Sequence, residues 1–183
     1  MRTALRLAGG LILSCLAFAA VAETTPAVWK ETEFKFSYHG FTTSYSCAGL
    51  KYKVRLILDA LGARANPSIS TTGCEIGGGV AIAPSVHVLA AFPEALPAGG
   101  EDAQSFAAQT DVVTLSPRQP RGLEMGDCEL VEQLGDSVFA AIGSRVVSEN
   151  TACVPHQANL GRPYVQLEVL RSATGGETTS TTH

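Results

Sequence analysis

The side chains best suited to acid–base or metal chemistry here are three histidines, His39, His87 and His156. A metal site needs several His, Cys or carboxylate ligands converging, and a local His-x-His pair announces one. The sequence has no such pair, so no metal and no other cofactor is expected. His87 lies between Val86 and Val88 on a strand-like run and faces away from their side. The enzyme that these residues could build is a hydrolase, its site assembled from His87, His156 and an acid such as Glu168.

Gly135-Asp136-Ser137 resembles the nucleophile block of the GDS-type esterases. That chemistry needs the serine just after a strand, with a later Asp-x-x-His. Here Ser137 falls inside a helical pattern and no such pair follows, so it reads as helix surface. Arg64 and Arg145 stand out because each follows a helix-ending glycine by two residues. One reading has each arginine bonding its helix's last carbonyls. The other makes them a symmetric pair that holds one anion. Arg64, Arg145 and His87 are therefore the candidate binding residues. Lys51, Lys53 and Arg55 form a basic group that reads as a solvated helix face.

The compartment follows from the first residues. Arg2 and Arg6 precede an apolar run from Leu7 to Ala22 that ends Ala20-Val21-Ala22, the pattern of a secretory signal peptide cleaved before Glu23. An alternative lipoprotein reading would place a lipid on Cys15. Without residues 1–22, the 13 basic residues fall to 11 against 17 acidic ones, a net charge of −6. Such a chain offers no counter-ion surface to a phosphate backbone, so nucleic acid is not an expected partner. No other stretch is long enough to span a membrane. A small molecule or an envelope protein is the expected partner, in the periplasm or outside the cell.

Positioning these residues requires elements, and the elements recur. Cys47 and Cys128 each precede a glycine, Gly62 and Gly143, by fifteen residues. Cys74 and Cys153 each precede a proline, Pro84 and Pro163, by ten, and a valine, Val86 and Val165, by twelve. Ser46 and Asp127 stand as N-caps. Leu50, Val54, Ile57, Leu58 and Leu61 form one helical stripe, and Val131, Leu134, Val138, Phe139 and Ile142 form another. Extended runs are expected at 33–38, 68–72, 86–90, 111–115, 146–149 and 164–170. Each unit reads β-α-β-β, a duplication spanning about 28–92 and 110–171, joined by a Pro, Ala and Gly-rich linker at 93–109. Trp29 should anchor the first strand. The Ser, Thr and Gly-rich tail at 172–183 is expected to be disordered.

Four cysteines outside the leader allow three pairings. A helix from 47 to 62 rises about 22 Å at 1.5 Å per residue. A strand from 66 to 74 returns about 26 Å at 3.3 Å per residue. That arithmetic brings Cys74 back to Cys47, and likewise Cys153 to Cys128. The expected fold is α+β: residues 23–171 form one domain with a mixed, mostly antiparallel sheet and two helices on one face. At fold level, a doubled βαββ unit is similar to the small-molecule-binding domains of the GyrI-like and SOUL type. Those domains use the groove between two pseudo-symmetric halves, and the similarity implies a groove here. The expected role is non-catalytic binding in that groove, with the hydrolase, or an accessory subunit of an envelope complex, as alternatives.

Overall fold

The computed structural model describes residues 23–74, 79–81, 83–100, 102–151, 153 and 162–173. The expected leader with Cys15, most of the glycine-rich loop after Cys74, His156 and the chain from 174 onward lie outside those residues.

The first half of the chain forms β1 (Thr25–Ser37), α1 (Cys47–Ala60), β2 (Ser68–Thr72) and β3 (Ser85–Ala95). The second half forms β4 (Phe106–Leu115), α2 (Cys128–Leu134), β5 (Arg145–Asn150) and β6 (Tyr164–Ser172). One six-stranded sheet results, in the order β2-β3-β1-β4-β6-β5. The order of each half thus mirrors the other about the β1–β4 seam. Every pairing is antiparallel, so the sheet expected to be mixed and mostly antiparallel is wholly so among the described residues. The seam itself is short: Thr25, Pro26 and Ala27 pair with Ala108, Ala107 and Phe106, and the ladder stops there. β3 and β6 come into contact across it.

Strand alternation decides what is buried. Phe34 and Phe36 of β1, Val86 and Val88 of β3, and Val165, Leu167 and Val169 of β6 enter one core with the helix stripes. Glu33, Lys35 and His87 take the other face. On α1, Ser46 caps the start by accepting the Gly49 amide at 3.1 Å. Gly62 ends it at φ 88°, and Gly143 takes φ 69° after the second helix, the left-handed region that glycine enters without a Cβ penalty.

Four expectations are corrected. Asp127 makes no side-chain cap on α2. It closes a preceding 3₁₀ turn, Met125–Asp127, by accepting the Glu124 amide at 2.7 Å. The second helix does not run as one α-helix to Gly143: after Leu134 it widens into a π turn, Gly135–Phe139, which still buries Val138 and Phe139. The linker is shorter than 93–109, because β3 runs to Ala95 and β4 begins at Phe106. Ser172, expected in a disordered tail, belongs to β6 and pairs with Ala108.

The disulfides join Cys47 to Cys74 and Cys128 to Cys153, each with Cα atoms 5.9 Å apart. Each bridge stays within its own half.

Candidate functional site

The two helices end differently. A Cβ on Gly62 would meet Arg171 Cγ at 3.0 Å and the Leu170 carbonyl oxygen at 3.3 Å. Arg171 is held there by Asp111 at 3.3 Å. At Gly143, no described atom lies within 4 Å of the same point. The reason lies in two side chains. Arg171 comes six residues after Val165 and Phe92 six after Val86; Asp111 comes two before Val113 and Thr32 two before Phe34. Phe92 and Thr32 therefore hold in the first half the places that Arg171 and Asp111 hold in the second. They do not fill the end of the second helix, and a groove of about 570 Å³ opens there. That size is within the range of about 300–1,000 Å³ usual for small-molecule sites.

Both halves border the groove. Residues 140–143, just beyond the π turn, form one wall, Phe92 and Val169 add apolar surface, and Thr32 and Thr110 bring hydroxyls. π turns of this kind recur at functional sites because they displace the residues that follow. Two ion pairs complete the lining: Lys30 with Glu94, and Arg145 with Glu168 at 2.7 Å. Their side chains are 58%, 52%, 69% and 35% exposed in that order, so both pairs stay in contact with water.

Of the residues singled out from sequence, the groove gathers Arg145 and Glu168. Arg64 sits elsewhere, its guanidinium 5.9 Å above the Trp29 ring, which stacks on Phe106 at 4.7 Å. Trp29 thus anchors the seam while half-buried. The two arginines are engaged differently: Arg64 meets an aromatic ring and Arg145 a carboxylate. His87 is on the sheet face away from the core, where its Nε2 meets Glu33 Oε1 at 2.8 Å. That hydrogen bond, then Lys35, holds the Glu33 carboxyl below its ordinary range. β1 and β4 stand between the strands of His87 and Glu168, and each residue is committed to its own neighbour. His156 is outside the described residues, where no group of three His, Cys, Asp or Glu side chains fit to hold a metal occurs. Ser137 donates to the Gln133 carbonyl at 3.3 Å, as a helix-surface hydroxyl does.

Sequence reasoning missed a buried polar cluster that fastens the halves together. Lys53, expected on a solvated face, is 8% exposed; Asp127 is 2% and Glu129 5% exposed. Lys53 Nζ donates to Asp127 Oδ2 at 2.8 Å and to the Gly122 carbonyl at 2.7 Å. The Tyr45 hydroxyl donates to Asp127 Oδ1. Burial pushes that hydroxyl far above the tyrosine range, and the hydrogen bond and charge of Asp127 push the same way. Glu129 accepts the Phe41 and Thr42 amides at 2.9 and 3.0 Å and the Thr42 hydroxyl at 3.1 Å. Gln133 exchanges two 2.9 Å bonds with the backbone of His39. A signal was present for Lys53: it comes three residues after Leu50 and four before Ile57, on the buried stripe. The cavity beside Asp127 is about 10 Å³, room for about one water. The cluster is a fastening, and the groove is the candidate site.

No protein-family model, no curated protein and no solved structure matches this chain.

Proposed function

We propose that this protein works outside the cytoplasm as a non-catalytic binding module, holding a small molecule in the groove between its halves. The carrying observation is the difference between the two helix ends: Arg171 and Asp111 close one, while Phe92 and Thr32 leave the other open. The groove joins an apolar floor to a few polar groups from separate strands, the usual composition of a ligand site. Two disulfides suit an oxidising compartment, in line with a cleavable leader at 1–22. No helix among the described residues is long and apolar enough to cross a membrane.

A thermal-shift screen of small molecules against the wild type and Ala141→Trp tests the reading. Ala141 borders the groove and is exposed, so the indole occupies groove space without disturbing the core. Ligands should raise the wild-type Tm and leave that of the variant unchanged. A ligand that acts equally on both proteins binds elsewhere and refutes the placement.

A further inference from the structure

We propose that the ligand is a short peptide, bound extended along the free edge of β1 with both of its charged termini recognised. This rests on the groove being the binding site.

The backbone supplies the first argument. β1 pairs with β3 along Ala27–Ser37, but its ladder to β4 ends at Ala27. From Val28 onward, the side of β1 toward β4 has no strand partner among the described residues. Lys30 and Thr32 lie on that stretch and border the groove, as does Thr110 of β4. A strand edge of this kind is completed by main-chain bonds from an extended peptide, an arrangement that a sugar or a planar metabolite cannot reproduce.

Charge supplies the second. The four charged groups at the groove sum to zero as two pairs, Lys30–Glu94 and Arg145–Glu168. An anion or a cation alone gains nothing from such a balance, whereas a zwitterion can exchange with both pairs. Pairs this exposed contribute little to stability, so exchanging a partner costs little. The Arg145 guanidinium suits a terminal carboxylate through its two-pronged geometry, and Glu94 suits a terminal ammonium. Phe92 and Val169 reach the groove from the core, and Ala141 and Ile142 offer it the more exposed apolar surface for a side chain.

Calorimetric titration of the full chain with Ala-Leu-Ala tests this, alongside the same peptide acetylated, amidated, or methylated at its central nitrogen. The free peptide should bind, and each modification should weaken binding at least tenfold. Arg145→Ala should abolish the discrimination between acid and amide, and Glu94→Gln the discrimination between free and acetylated peptide. Equal binding of capped and free peptides overturns the proposal. So does a failure of the peptide to bind when some other compound binds and Ala141→Trp blocks it, and the groove reading then survives. If no compound binds in a way that Ala141→Trp blocks, both readings fall.

Discussion

Replacing Asp127 by Asn keeps the side-chain volume and removes the charge that faces Lys53. The ammonium is then left in a site where Lys53 is 8% exposed, with the Gly122 carbonyl at 2.7 Å and Glu124 at 3.7 Å as its remaining partners. Breaking a buried ion pair by removing one member costs about 3–5 kcal/mol. The two surviving acceptors place this case near the lower end, at about 3 kcal/mol. Lys53→Met approaches the pair from the other side. It leaves Asp127 with Tyr45 and the Glu124 amide, and costs about 3 kcal/mol by the same reasoning. The double variant loses the attraction only once, so it should cost about 3–4 kcal/mol rather than about 6. In urea, with the disulfides kept oxidised and a slope of about 2 kcal/mol/M, each single change lowers the midpoint by roughly 1.5 M. Single costs below about 1 kcal/mol, or strict additivity, would refute the claim that this pair fastens the halves.

Tyr45→Phe removes a group whose folded-state pKa is raised. Such a group contributes stability that is full below its unfolded pKa of about 10 and is lost as pH rises beyond it. The wild type should therefore lose stability above pH 10 more steeply than the variant, as measured by urea midpoints at successive pH values; parallel curves would contradict this. Glu33 should titrate below the ordinary carboxylate range in a carboxyl NMR titration, and His87→Ala should move it upward, since the His87 hydrogen bond is the largest cause of the shift. An unmoved Glu33 would show that His87 is not responsible. Replacing Cys47 and Cys74 together by Ser should cost about 3.5 kcal/mol by loop-closure entropy for a 27-residue separation, read from urea unfolding. A loss under 1 kcal/mol would mean that the unfolded chain is already confined there. Non-reducing peptide mapping should recover Cys47–Cys74 and Cys128–Cys153, and a peptide linked through Cys74 and Cys128 would overturn the pairing.

The architecture was legible wherever it depends on periodicity. The stripe of α1, the alternation of β6 and the return of each strand past its helix are written in residue spacing, and the disulfide pairing followed from lengths alone. Strand ends were less legible. β1 reaches back to Thr25 because Ala27 and Trp29 pack at the seam, a contact with β4 that no local pattern encodes. Lys53 has the composition of a solvated face, with Lys51 and Arg55 beside it, while its spacing from Leu50 and Ile57 puts it on the stripe, and the stripe decides its burial. Asp127 resembled a helix cap locally, while its partners, Lys53 and Tyr45, come from more than seventy residues away. The groove was least legible. It depends on Phe92 and Thr32 being unlike Arg171 and Asp111, and that contrast has meaning only once the register of both halves is known.

The placement of the two disulfides also has a mechanical consequence. Each closes a ring within its own half, so among the described residues no covalent link other than the main chain crosses the seam. Among the contacts that resist separation there are three ladder pairs, the shared core, the Trp29–Phe106 stack, and the Lys53–Asp127, Glu129 and Gln133 contacts. Under tension the molecule should give way at the seam first, with both rings intact, and the extension recorded in a pulling experiment should be shorter than the contour length of the chain by the residues locked inside them. A reductant would restore that hidden length without altering the force at which the seam parts.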